Sequence, residues 1–295
     1  MRELNLIIQN EHTKYNVGEL LKKHFQLSSR LITKLKHTGG IKLNGKTVTV
    51  RKEVLVGDSL TVEMPQSASL NVIPVNLPID ILYEDEDILV VNKPRNMPVH
   101  PSMNNYDNTL GNAVMYYYKD VPFVYRPVNR LDRDTTGVVI IAKTPQAGCD
   151  LSRQMQEGKF KKEYLALLSG TPEAEYGIIN APIKRENESI IKRCVSPDGQ
   201  NAVTEYTIIK KNENSSVAHI KLHTGRTHQI RVHFAHIGHP LMYDYLYGKE
   251  ESEKTFCLHC YKLTFFHPVT KEKVCIVCPP PKDFDLENNY FKKST

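Results

Sequence analysis

Residues 129–137 (NRLDRDTTG) place acidic and basic side chains next to one another, directly before the apolar run VVIIA. Asp132 stands between Arg130 and Arg133, and Asp134 follows it two positions later. Arginines this close favour an ionised carboxylate, which is the form that a nucleophile or a general base requires. The alternative is a structural salt-bridge turn, which a loop of this composition can also form.

Residues 224–240 (TGRTHQIRVHFAHIGHP) are the second stretch rich in polar, reactive side chains. Thr227 can cap a helix that Gly238 ends. The apolar residues of that helix share one face at i, i+4 and i+7 spacing, namely Ile230, Phe234 and Ile237. Arg231 lies off this apolar stripe, so we predict that it points into a cleft while the stripe packs on a core.

Two groups of residues could bind a metal ion. Four histidines fall in or near the predicted helix: His228, His233, His236 and His239. The helix would direct them to different sides, and the sequence contains no His-Glu-x-x-His motif. Four cysteines have nearly the spacing of a zinc site: Cys257, Cys260, Cys275 and Cys278. They lie in strand-like apolar runs without turn glycines, so we predict no metal site, with a four-thiolate zinc site as the alternative.

Around these stretches, the chain of 295 residues predicts about two domains. Its hydrophobic fraction of 40% is enough for a packed core, and its net charge of +6 is compatible with a polyanionic partner. We predict a small module over residues 1–66, a linker over 67–78 that contains proline and serine, and a larger domain over 79–295. No segment reaches the roughly 20 apolar residues of a membrane span.

The small module alternates strands and helices. Residues 4–9 predict a strand, and residues 17–36 follow a helical period that a Ser28-Ser29 pair can divide by capping a second helix. Gly39 and Gly40 end that helix, and an Asn44-Gly45 turn joins two hairpin strands.

The larger domain is predicted to be mixed. Strands are predicted at 88–91, over VVIIA, at 161–168 and in two runs between 202 and 224. Helices are predicted over Thr109–Tyr118 and Pro145–Glu157, and residues 177–200 read as loop. A final hairpin is predicted around 267–270.

Three segments in this order resemble the signatures of the large-subunit (RluA/RluD-type) RNA pseudouridine synthases. They are NKP with the following VHP at 92–101, NRLDRDTTG at 129–137 and TGRTHQIRVH at 224–233. The spacing Lys162-x-Tyr164-x-Ala166 is similar to a further family segment. This sequence departs from the family at Asn129, where histidine is usual, and at Thr136, where serine is usual.

The resemblance implies the site residues and the fold. Asp132 is the residue that the family's chemistry cannot spare, Arg231 pairs with it, and Tyr164 lies over the target base. The implied substrate-binding residues are Arg130, Lys162, Arg226, His228 and Gln229. No cofactor is implied, since the isomerisation involves no redox change and needs no energy input. The implied fold is α+β, with a largely antiparallel bent sheet and flanking helices.

The basic small module resembles the S-four-like RNA-binding module of ribosomal proteins, with Arg30, Lys34 and Lys42 as implied RNA contacts. The expected partner is therefore structured RNA, and large-subunit ribosomal RNA is the expected target. Transfer RNA as the target, or a binding protein without activity, are the alternatives. Six cysteines without a secretory signal predict a cytoplasmic protein, and we expect a monomer.

Overall fold

The computed structural model describes residues 3–25, 27–64, 72–102, 105–186, 189, 191–248, 255–284 and 286. Within these residues, a four-stranded sheet and a nine-stranded sheet each have a hydrophobic core of their own. The smaller sheet is built from residues 3–63 and the larger one from residues 80–277. The molecule is therefore mixed, with more sheet than helix, which confirms the predicted α+β class.

Residues 3–63 combine an antiparallel sheet with two helices in one core. The elements are β1 (Glu3–Ile7), α1 (Val17–Lys23), α2 (Ser29–Thr38), β2 (Ile41–Leu43), β3 (Lys46–Thr47) and β4 (Ser59–Glu63), and the strand order is β1-β4-β2-β3. As predicted, Ser28 caps α2 by accepting a hydrogen bond from the Leu31 amide at 3.2 Å. Gly39 ends the helix with a φ of 69°, a conformation that glycine adopts without a Cβ clash.

The larger sheet carries the stretches that could do chemistry. In chain order, its region contains β5 (Asp80–Glu84), β6 (Ile88–Lys93), α3 (Leu110–Tyr117), β7 (Thr136–Ala142), α4 (Pro145–Gln156), β8 (Lys161–Ser169), β9 (Tyr176–Asn180), β10 (Ile183–Arg185), β11 (Arg193–Val195), β12 (Val203–Lys211), β13 (Ser215–Leu222), α5 (Gln229–His236), β14 (Leu258–Phe266) and β15 (Lys273–Val277). The strand order is β5-β6-β7-β14-β8-β13-β12-β9, with β15 beside β14, while β10 and β11 form a separate pair. Strand β7 follows the Asp132 loop (residues 129–135). It is buried along its whole length and lies inside this sheet, between β6 and β14.

Among the described residues, β7 and β14 form the one parallel pair, and a glycine makes their close approach possible. Gly137 has a φ of 108°, and a Cβ built on it would lie 2.2 Å from the carbonyl oxygen of Cys260. Any larger residue would push the two strands apart at the point where the Asp132 loop enters the sheet. The glycine that closes this loop is thus required by backbone packing.

We expect Gly137→Ala to lower the free energy of unfolding by at least about 2 kcal/mol, because backbone strain adds to the clash with Cys260. Urea denaturation measures the loss. Gly158→Ala is the matched control, since Gly158 also has a positive φ (67°) but no atom lies within 4 Å of the place that a Cβ would take. If the two variants lose equal amounts of unfolding free energy, the close approach of β7 and β14 does not contribute to the destabilisation by Gly137→Ala.

Two sequence-based expectations differ from the structure. Thr227 does not cap α5; the N-cap is His228, whose φ of 58° is left-handed and whose side chain makes no capping bond. Residues 177–200 contain β9, β10 and β11 rather than loop alone, because these short strands pair with distant partners. Residues 67–71 of the predicted linker lie outside the described part, and Val72 is buried in the core of the larger sheet.

Candidate active site

Two adjoining cavities, of about 70 Å³ and about 540 Å³, lie where the Asp132 loop faces α5 and β8. Both are lined by Asp132 and Tyr164. Each of the eight residues predicted to catalyse the reaction or bind its substrate lines one or both cavities: Arg130, Asp132, Lys162, Tyr164, Arg226, His228, Gln229 and Arg231. The fold thus brings together residues from three separate sequence segments.

The Asp132 carboxylate faces two donors that come from another part of the chain. Its Oδ2 lies 3.5 Å from Nη1 of Arg231 and 3.9 Å from Nε2 of His228, and its side chain is 29% exposed. The expectation that the neighbouring arginines flank this carboxylate is wrong for Arg133, which pairs with Asp134 at 3.1 Å. Adjacent side chains of a loop point in different directions, so neighbours in sequence need not meet.

A buried lysine anchors the loop. The Nζ of Lys93 donates hydrogen bonds to the carbonyl oxygens of Pro94 (2.7 Å), Met97 (2.8 Å) and Arg133 (2.9 Å). Burial lowers the pKa of Lys93 to about 7, while the charges of Asp134 and Asp132 act in the opposite direction. Three carbonyl acceptors match the three donors of an ammonium group. The NKP segment contains this lysine, but the sequence did not predict that it positions the loop.

Asn129, which stands where the family signature has histidine, bonds the backbone of β7. Its Nδ2 donates to the carbonyl oxygen of Val138 at 3.0 Å, and its Oδ1 accepts from the amide of Ile140 at 2.9 Å. The side-chain amide therefore makes hydrogen bonds with the backbone of β7 of the kind that a neighbouring strand would make. In this way it fixes the start of the loop. Asn129 is buried, and both polar groups of its side-chain amide bond the backbone.

Arg231 is held by a carboxylate that the sequence analysis missed. Its Nε and Nη2 both donate to Asp244, each at 2.7 Å, and both residues are buried. Burial acts to lower the pKa of Arg231, but the hydrogen bonds and charge of Asp244 outweigh it and raise that pKa above its ordinary value. The lone carboxylate in the aromatic segment LMYDYLYG could have indicated a buried cation, because a buried charge needs a partner.

Three aromatic rings surround the same guanidinium. Its carbon lies 4.2 Å from the ring centre of Phe256, 5.0 Å from that of Tyr247 and 5.5 Å from that of Tyr245. Because Asp244 takes two of its three nitrogens, Nη1 remains directed at Asp132. Arg231 can therefore offer one positive donor to the Asp132 carboxylate from a fixed position.

His228 presents its other nitrogen to Asp132. The hydroxyl of Tyr247 accepts a hydrogen bond from the Arg193 amide at 2.9 Å and lies 2.8 Å from Nδ1 of His228. The hydroxyl can donate its own proton to Nδ1, and Nε2 then carries the imidazole proton on the side of Asp132. Burial lowers the pKa of His228, an effect that Asp132 opposes. A neutral imidazole fits this arrangement at neutral pH.

Tyr164 and Lys162 lie two positions apart on β8, so both side chains reach the same face of the sheet. Burial raises the pKa of Tyr164 well above its ordinary value, which keeps the phenol neutral. Burial lowers the pKa of Lys162, which lines the larger cavity. The cleft thus offers one neutral aromatic ring with a hydroxyl and one amine close to Asp132.

Gln229 shapes the adjoining loop through all of its polar atoms. Its Oε1 accepts from the Arg226 amide (2.9 Å) and the Thr224 hydroxyl (2.9 Å), while Nε2 donates to the Val203 carbonyl (3.1 Å) and the Thr204 hydroxyl (3.0 Å). These four bonds engage both polar groups of the Gln229 side-chain amide with the protein itself. Arg226 itself is exposed at the rim of the cleft, as is Arg130.

The three residues predicted to contact RNA in the small module lie on two elements. Lys34 is exposed on α2, whereas Lys42 on β2 forms an ion pair with Glu63. Arg30 belongs to α2, and its side chain lies outside the described part. Lys42 therefore has a protein partner that competes with phosphate.

The metal-binding candidates are distributed as follows. Within the described residues, one group of three metal-type ligands comes together, namely Asp85, Asp87 and His267. The four cysteine sulfurs do not meet at one point there; Cys275 is exposed on β15 while the other three are buried. No described helix is long and apolar enough to cross a membrane.

Known proteins have sequences and a fold similar to those of this chain. Residues 87–236, just over half of the chain, match the family model described as RNA pseudouridylate synthase. The uncharacterized RNA pseudouridine synthase YjbO of Bacillus subtilis (strain 168) is 39% identical over 262 residues, covering 87% of this chain and 93% of its own. Ribosomal large subunit pseudouridine synthase D of Pasteurella multocida (strain Pm70) is 38% identical over 262 residues, covering 83% of this chain and 81% of its own.

A solved structure supports the fold. Human RNA pseudouridylate synthase domain containing 1 superposes with a TM-score of 0.61 at 24% sequence identity, covering 74% of this chain and 94% of that one. The matched family segment includes the Asp132 loop, β8 and α5, which together form the cleft. With this sequence match and this cleft, the chain belongs to the RNA pseudouridylate synthase family and is an enzyme that isomerises uridine in RNA to pseudouridine.

Proposed function

We propose that this enzyme acts on uridine in large-subunit ribosomal RNA and that Asp132, Tyr164 and Arg231 perform the reaction. The observation that carries the site assignment is the contact between the Asp132 carboxylate and Nη1 of Arg231, 3.5 Å apart beside Tyr164. The target is proposed because synthase D proteins with 36–38% identity are named for the large ribosomal subunit.

The reaction breaks the bond between N1 of uracil and C1′ of ribose, turns the base and joins C5 to C1′. C5 loses its proton to solvent, and N1 takes up a proton. Asp132 acts as the nucleophile at the ribose or as the base that starts cleavage. Arg231 orients its carboxylate through Nη1, and His228 offers an N–H from the other side. A charged group held by fixed donors needs little reorganisation during the reaction.

The remaining cleft residues contact substrate. Tyr164 stacks on the uracil and, as a neutral phenol, can donate a hydrogen bond during rearrangement. A uridine in structured RNA must leave its helix to reach Asp132, and the exposed Arg130 can fill the space that the base vacates. Lys162 and Arg226 bind phosphate or ribose at the larger cavity.

The small module is proposed to add affinity through phosphates rather than chemistry. Its second helix carries exposed basic side chains, among them Lys34 and Lys36. An A-form helix offers phosphates and shape to such a surface more readily than base sequence.

All six cysteines are free thiols, which supports action in the cytoplasm.

We expect the double substitution Lys34→Gln and Lys36→Gln to weaken RNA binding and to flatten its salt dependence. Each lost phosphate contact reduces the slope of log K against log salt by roughly 0.7–0.9. Filter binding at several salt concentrations measures both quantities. Lys273→Gln, an exposed lysine on β15, is the control. A double variant whose affinity and slope match those of this control would rule out the proposed phosphate contacts.

The target is tested by tritium release from RNA labelled at C5 of uracil. Ribosomal RNA and transfer RNA from cells that lack the enzyme are offered separately, and the modified position is then mapped. Release from large-subunit RNA at a defined uridine is expected. Release from transfer RNA alone would reassign the target, and the absence of release from both would contradict catalysis on these RNAs.

A further inference from the structure

A buried hydroxyl in the active-site loop has no protein partner. Among the described residues, three buried side-chain polar atoms lack a hydrogen bond: Thr135 Oγ1, Arg95 Nε and Arg153 Nε. Both arginines bind carboxylates through other nitrogens, at Asp283 and Asp150. Thr135 is thus the one residue of the three whose side chain is wholly unpaired. Buried hydroxyls are nearly always bonded, so this exception calls for a partner from outside the chain.

The neighbouring threonine has the opposite surroundings. The Thr136 hydroxyl lies 2.7 Å from Nδ1 of His259, inside the contact between β7 and β14. Both threonines are buried, at 2% and 5% exposure respectively. Thr136 therefore supports the sheet, whereas nothing in the described part of the chain explains a hydroxyl at Thr135.

Thr135 lines the smaller cavity together with Asp132 and Tyr164. The other walls include the apolar side chains of Leu222, Ile230 and Leu258. An apolar slot beside an aromatic ring suits a flat base. The Thr135 hydroxyl oxygen is itself closed to solvent, so it meets a polar atom on the edge of that base once the threonine side chain turns towards the cavity. A carbonyl oxygen of uracil is such an atom.

We propose that the Thr135 hydroxyl donates a hydrogen bond to a carbonyl oxygen of the target uracil, an inference that rests on the proposed function of this cleft. When the N1–C1′ bond breaks, its electron pair leaves with the base, whether Asp132 attacks the ribose or acts as a base. The detached ring then carries negative charge that spreads onto its carbonyl oxygens. A donor turned towards this slot binds the charged ring more strongly than neutral uridine, so that it speeds cleavage.

Thr135→Val and Thr135→Ser test this assignment in the full-length enzyme. Valine keeps the shape and removes the hydroxyl, whereas serine keeps the hydroxyl. We expect Thr135→Val to lower kcat at least about tenfold with KM for RNA within about threefold, and Thr135→Ser to restore most of the rate. The measurement is tritium release from total cellular RNA labelled at C5 of uracil.

Thermal unfolding separates this role from a structural one. Because its hydroxyl has no partner in the protein, Thr135→Val should leave Tm unchanged or raise it. Thr136→Val, which loses the bond to His259, should lower Tm. A Thr135→Val enzyme with normal kcat, or one whose Tm falls as far as that of Thr136→Val, would overturn the proposal. Mapping the modified uridine in the same RNA reports separately on the proposed ribosomal target.

Discussion

Asp132→Asn should abolish turnover while leaving RNA binding nearly intact. Asparagine keeps the shape of the side chain but can act neither as a nucleophilic carboxylate nor as a base, so kcat should fall on the order of 10³- to 10⁵-fold. RNA affinity should change little, since phosphate contacts supply most of it. Single-turnover tritium release and filter binding with the same RNA measure the two quantities.

Asp134→Asn is the matched control for this prediction, because it removes a carboxylate from the same loop. Asp134 is buried and pairs with Arg133 rather than facing the cleft. Its loss should lower Tm, while kcat stays within about tenfold of that of the wild type. Activity that persists in Asp132→Asn would contradict the proposed mechanism, and equal losses in both variants would point to a disturbed loop.

Asp244→Ala should destabilise the protein by about 3–5 kcal/mol, because it leaves the buried Arg231 guanidinium without its carboxylate. The same carboxylate also accepts hydrogen bonds from the amides of Leu246 (3.0 Å) and Tyr247 (3.2 Å), so the turn after it loses its acceptor as well. Activity should fall too, since Arg231 would no longer be held towards Asp132. Urea denaturation and tritium release measure the two effects.

A double substitution distinguishes an unpaired charge from lost packing. Arg231→Met with Asp244→Leu removes both charges and keeps apolar volume, so it should recover much of the stability that Asp244→Ala loses. It should remain inactive, because the guanidinium that faces Asp132 is then gone. If Asp244→Ala is as stable as the wild type, the buried pair does not stabilise the fold.

Local rules predicted much of the fold from sequence. Ser28 caps α2 and Gly39 ends it, because a hydroxyl next to free helix amides and a glycine at a left-handed position act within a few residues. The VVIIA run is the buried strand β7, since apolar β-branched residues without alternation suit a strand covered on both faces. The three signature segments likewise identified residues that line the cleft.

Local rules could not predict the contacts between residues that only the tertiary structure brings together. The pairing of Arg133 with Asp134 rather than Asp132 depends on the direction of each side chain in the loop. Asp244 as the partner of Arg231 depends on how the segment after α5 packs against that helix. The short strands β9, β10 and β11 form because they find partners, since their own patterns are too weak to predict them.

The sequence by itself therefore determined the reaction class, the ends of α2, the buried central strand and the aspartate proposed to be catalytic. The helix ends and the strand depend on residue type and short spacing, whereas the reaction class and the aspartate rest on the resemblance of three segments to a known family. Only the tertiary structure decided that His228 also faces Asp132, that Asp244 and Tyr247 hold Arg231 and His228, and that the Thr135 hydroxyl is left unpaired. The reason is physical: which polar groups meet depends on the parallel contact of β7 with β14 and on the placement of α5, and both are set by packing across the whole sheet.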